Sequence, residues 1–145
     1  MRCDSMLLCI ALGFLPFVFG GIMNWWMMTN PDTLPPYLLI ALGMLILWAV
    51  ISFFMMGRMQ HEKKVVLSLN GIAFVVLILL GVQEMVLQAY WMNPLGAWTQ
   101  YFYLPLLRLG FTFTSWTPSM FFAYIASFLL MLGASILGCN LKKNR

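Results

Sequence analysis

The residues of this chain best suited to chemistry are few. Asn70, Glu84 and Gln88, with Leu77 and Gly81 between them, fall within about 60° of one another if the segment is a helix turning about 100° per residue, and so form a polar stripe. A carboxylate in hydrocarbon is costly and normally faces a bundle interior or finds a partner, and Arg108 is the obvious candidate to pair with Glu84. Glu84 also lies about 28 Å along such a helix from Val65, close to an interface where water can reach it. A solvated carboxylate, an ion pair with Arg108 and proton or cation handling are therefore all open. Proton pumping is disfavoured because the other apolar segments carry no ionisable group at mid-depth.

Catalytic constellations are missing. The one histidine, His61, stands in a charged link beside Glu62 without a second histidine or cysteine at ligand spacing, so no metal or other cofactor is expected. Nucleotide-binding, metalloprotease and serine-hydrolase motifs are absent, and no spacing requires Asp32 and Glu84 to meet. Cys3, Cys9 and Cys139 all fall near one side, lack CxxC spacing and read as reduced thiols. The basic residues lie at the ends of apolar stretches and do not alternate with aromatics, which argues against nucleic acid as a partner.

Two further patterns are candidates for recognition. Trp25, Trp26, Trp91, Trp98 and Trp116, with Tyr37, Tyr90, Tyr101, Tyr103 and Tyr124, concentrate on one side, whereas ordinary membrane proteins carry such rings at both interfaces. The rings either anchor a loop on the leaflet or, for Trp98, Tyr101, Tyr103 and Trp116, cover a groove that binds a lipid, an isoprenoid or a partner's membrane segment. Ala123, Ser127, Ala134 and Gly138 recur at intervals of four or seven and form a small-residue stripe for close helix packing, inside this chain or against another copy or a larger partner.

The elements that must position these residues follow from composition. Of 145 residues, 63% are hydrophobic and 8% charged, against about 25% charged in an average soluble domain, so the bilayer is the expected solvent. Four apolar runs, at about 6–28, 36–57, 65–88 and 118–138, are each long enough to cross a bilayer as a helix. In the first, Pro16 and Gly20-Gly21 invite a bend in its outer half, and its start also resembles a signal peptide cleavable near Gly20. Apolar character continues unbroken through Met28, which favours a retained helix. Residues 30–36 are turn chemistry, and residues 58–64 form a short charged hairpin link. Residues 89–117, rich in aromatics and punctuated by Pro94, Gly96, Pro105 and Gly110, read as one long outer loop, after which Thr117 and Pro118 open the last span.

Orientation follows from the basic residues: Arg2, Arg58, Lys63, Lys64, Lys142, Lys143 and Arg145 fall on one side and Arg108 alone on the other. The positive-inside rule then puts both termini and the link at His61 in the cytoplasm. The echo between Trp25-Trp26-Met27-Met28-Thr29-Asn30-Pro31 and Tyr90-Trp91-Met92-Asn93-Pro94 fits interfacial aromatics followed by turns better than a duplicated hairpin. The expectation is a single all-α membrane domain over 1–145, a four-helix bundle of the cell membrane, taken as bacterial cytoplasmic, with a long aromatic outer loop between helices 3 and 4. Its leading functional reading is a non-enzymatic accessory or interaction protein whose partners are the lipid bilayer and a membrane protein or a second copy. A small permease or channel subunit using the polar stripe, and a lipid-modifying enzyme centred on Glu84 and Arg108, are the alternatives.

Overall fold

The computed structural model describes residues 3–89 and 93–144, and these are helical with no strands among them. Tyr90, Trp91, Met92, Arg2 and Arg145 lie outside the described residues, and with them the Tyr90-Trp91-Met92 part of the aromatic echo. Four helical stretches are long and apolar enough to cross a membrane: Asp4–Thr29, Tyr37–Met59, Glu62–Val86 and Met120–Lys143.

The first stretch is two helices, α1 (Cys3–Leu12) and α2 (Leu15–Thr29). Pro16 has no N–H to return to the preceding turn, and the chain breaks just before it, at Gly13-Phe14. A Cβ on Gly13 would stand 2.9 Å from the Leu69 carbonyl, so this glycine lets α1 lean on the next hairpin. The break thus falls in the first half of the stretch and not in the outer half as expected, and Gly20-Gly21 remain helical.

Helix α3 (Tyr37–Met59) ends at Gln60, whose left-handed φ of 56° reverses the chain within two residues before α4 (Glu62–Gly81) begins. The continuation Val82–Val86 is a π-helical turn, in which the Leu87 N–H donates to the Val82 carbonyl (3.0 Å).

Residues 89–117 are not the single long loop that their composition suggests. They form α5 (Pro94–Tyr103) and α6 (Leu107–Thr114), joined by a turn at residues 104–106. The prolines punctuate helices here. Pro94 occupies the first helical turn, behind an Asn93 side chain that accepts from the Gly96 N–H (2.8 Å), and Pro105 sits in the connecting turn.

Helix α7 (Met120–Lys143) starts two residues later and runs further than expected. Ser119, not Thr117, caps it by accepting from the Phe121 N–H (3.2 Å), while the Thr117 hydroxyl turns back to the Thr114 carbonyl.

Helix α7 is the hub, packing on α3, α4 and α6, while α1 lies on α4 and α2 lies on α5. Helices α5 and α6 dip into the bundle as a re-entrant hairpin. Its tip residues Phe102, Tyr103, Pro105 and Leu106 are almost completely buried, and the Tyr103 hydroxyl donates to the Ala73 carbonyl near the middle of α4 (2.6 Å). Beside it, the Ser127 hydroxyl of α7 donates to the Leu106 carbonyl (3.3 Å). Non-helical backbone at such depth is tolerable only where protein surrounds and satisfies it, and the tip meets that condition.

Candidate functional site

The polar stripe divides into three separate roles. Asn70 is buried at the meeting of three helices: its Oδ1 accepts from Trp48 Nε1 of α3 (3.1 Å), and its Nδ2 donates to the Val66 carbonyl (2.9 Å) and to Ser135 Oγ of α7 (2.8 Å). Ser135 passes its own proton to the Met131 carbonyl (3.0 Å), so donors and acceptors match along the whole chain of bonds. This is a structural clasp.

Glu84, in the π-helical turn, accepts a short hydrogen bond from the Ser119 hydroxyl that caps α7, and thereby ties the end of α4 to the start of α7. Gln88 is exposed with a left-handed φ of 50°, and Arg108 is exposed one residue into α6. The polar side chain that enters the core from this turn is Gln83, whose Nε2 donates to Thr99 Oγ1 of α5 (3.1 Å). Its signal was present in the sequence: the buried face Val65, Leu69, Ala73, Val76 and Leu80 steps by three or four and reaches Gln83 next.

The four aromatics of the expected recognition surface likewise separate. Tyr103 is a core residue, and Tyr101 is half-buried with its hydroxyl accepting from Asn24 Nδ2 of α2 (3.2 Å). Trp98 is largely exposed beside Phe17, with 6.0 Å between ring centroids, and Trp116 is 80% exposed. The first two hold the re-entrant hairpin against its walls, and the last two face outward.

The small-residue stripe is used within the chain. A Cβ on Gly138 would collide with the Ala49 carbonyl of α3, and one on Gly110 of α6 would collide with the Ala123 carbonyl and Ser127 Oγ. Ala134 is partly buried against the core. Among the cysteines whose side chains are described, Cys9 and Cys139 are buried free thiols that donate to the Val65 and Ser52 carbonyls (3.8 and 3.9 Å). No cluster of three or more histidine, cysteine, aspartate or glutamate residues that could hold a metal occurs among the described residues.

With these polar groups engaged in packing, one feature with the shape of a binding site is apolar. Helices α2 and α3 are consecutive yet have almost no direct contact. Between them lies a cleft of about 570 Å³, walled by Phe19, Met23 and Trp26 on one side and by Ile40, Met44 and Leu47 on the other, with the hairpin residue Pro105 completing the lining. Near their connected ends the two helices are bridged by the Tyr37 hydroxyl, which reaches Met27 Sδ (3.4 Å). Gly43 also lines the cleft, and a Cβ there would meet nothing within 4 Å. The cleft has the volume of a small-molecule site, and its two methionines are side chains that adapt to irregular apolar shapes.

No protein-family model, curated protein or solved structure matches this chain. The functional reading therefore rests on the geometry alone.

Proposed function

We propose that this protein is a non-enzymatic accessory protein of a cell membrane, crossing it four times with both termini and the α3–α4 link in the cytoplasm, and that it holds one apolar chain of a lipid in the cleft between α2 and α3. The observation that carries this reading is the cleft itself, an apolar space bordered by three elements in a bundle whose buried polar groups are otherwise engaged. Among the described residues, no buried side-chain nitrogen or oxygen lacks a hydrogen-bond partner. Asn70, Gln83 and Glu84 are joined to neighbouring helices, which argues against a transport path or a catalytic centre built on them.

An acyl or isoprenoid chain suits the cleft because its lining is almost wholly apolar and its volume is that of a small-molecule site. Orientation is supported by the clustering of Arg58, Lys63, Lys64, Lys142 and Lys143 at one end of the helices.

The test uses phosphatidylcholine with a photoactivatable group in its acyl chain, in liposomes containing the full chain. Labelling at Met23 and Met44 is expected to exceed labelling at the exposed Leu129, and Gly43→Phe is expected to lower it about tenfold while leaving Leu129 unchanged. Equal labelling of the cleft and Leu129, or no effect of Gly43→Phe, would overturn the reading.

A further inference from the structure

At the opposite end of the bundle, the first turn of α1, the last turn of α3 and the link into α4 enclose a second cavity of about 860 Å³. Its lining is amphipathic. Arg58, His61 and Lys64 supply the basic part, Ser5 and Gln60 add neutral polar groups, and Met6, Leu8 and Met59 make an apolar part. Among the described lining residues Asp4 is the one carboxylate, beside the two cations Arg58 and Lys64.

The two-residue link fixes this arrangement. Left-handed Gln60 donates its N–H to the Met56 carbonyl (2.9 Å), and both the Lys64 and Val65 N–H groups return to the His61 carbonyl (3.1 Å each). Arg58 and Lys64 are therefore presented from a hydrogen-bonded backbone, and what an arriving anion must still order is their two long side chains. Two other basic residues at this end point elsewhere. Lys63 turns to a groove between α4 and α7, and the Lys142 ammonium stands 5.1 Å from the Phe53 ring centroid.

We propose that this cavity binds the headgroup phosphate of an anionic membrane lipid, with the phosphate between Arg58 and Lys64 and the glycerol end of the chains over Met6, Leu8 and Met59. An anion is drawn to the guanidinium and ammonium pair, and Arg58 offers a planar fork to two phosphate oxygens. A soluble phosphate would satisfy the basic part alone, whereas a lipid uses both parts, and the cavity lies at the helix ends where a headgroup would be. This site is independent of the cleft between α2 and α3 and stands whether or not that cleft is occupied.

The test is native mass spectrometry of the full chain in mild detergent with added phosphatidylglycerol or phosphatidylcholine. Wild type is expected to retain phosphatidylglycerol at least tenfold more strongly. Arg58→Gln with Lys64→Gln, both at exposed positions, is expected to abolish that preference, while Lys63→Gln with Lys143→Gln removes the same charge from the same end and is expected to keep it. Equal retention of the two lipids by wild type, or equal loss in both double variants, would overturn the proposal in favour of a diffuse basic field. Inorganic phosphate alone raising the melting temperature as much as phosphatidylglycerol would assign the cavity to a soluble anion and also overturn it.

Discussion

Helix α3 has two very different neighbours. Along α7 it meets small residues, Ala49 against Gly138 and Ser52 beside Cys139, and at Gly138 the two backbones come together with no room for a further methyl group. Toward α2 it presents Ile40, Met44 and Leu47 to Phe19, Met23 and Trp26, and the large side chains leave the helices apart. One helix thus carries a closed seam and an open one. In a bilayer, where lipid tails are as apolar as leucine, helices associate through close packing and interhelical hydrogen bonds more than through apolar burial, so side-chain size decides which seam closes.

The strongest way to break this contrast is to put bulk into the closed seam. Gly138→Leu is expected to destabilise the fold by about 3 kcal/mol, because the clash is with the Ala49 carbonyl and backbone cannot step aside. Loss of the folded fraction in detergent thermal melts checks it. Removing the polar clasp comes next. Asn70→Ala strips partners from Trp48 Nε1 and Ser135 Oγ and is expected to cost about 1–2 kcal/mol, read as a lower melting temperature and a blue-shifted Trp48 emission. Tyr103→Phe removes only the hydroxyl that meets the Ala73 carbonyl and is expected to cost about 1 kcal/mol, with faster amide exchange in the hairpin tip. Last, Gly43→Phe puts bulk into the open seam and is expected to change stability by less than about 0.5 kcal/mol, since nothing stands within 4 Å of its Cβ. A large stability loss from Gly43→Phe would mean that the two seams are not different in kind.

The sequence carried the span-length helices plainly, because runs of more than twenty apolar residues bounded by charge and proline have few other readings. The spacing of Ala123, Ser127, Ala134 and Gly138 marked a stripe for close packing but not which neighbour each would meet: Gly138 lies against α3, whereas Ala123 and Ser127 receive Gly110 of α6. The hairpin was hidden by ambiguity in proline, which ends a helix from inside and begins one from its first turn. Pro94 does the second, and residues 89–117 conceal two short helices behind loop-like composition. The polar stripe does not stay on one face: Asn70 is buried against α3 and α7 and Glu84 meets Ser119, while Gln88 is exposed. It was drawn through polar residues, whereas the buried face of α4 is defined by apolar ones and leads to Gln83. The buried N–H of Trp48 needs an acceptor, and Asn70 supplies it.

The re-entrant hairpin also sets an order of assembly. Helices α5 and α6, ten and eight residues long, are too short to cross a bilayer, so neither can enter as an independent span. The tip depends on walls made by different parts of the chain: Ala73 from α4, Phe17 from α2, and Ser127 from α7. The last of these is synthesised after the hairpin itself. A nascent chain that has completed α6 therefore cannot bury the hairpin in its final place until the α7 residues around Ser127 have followed it.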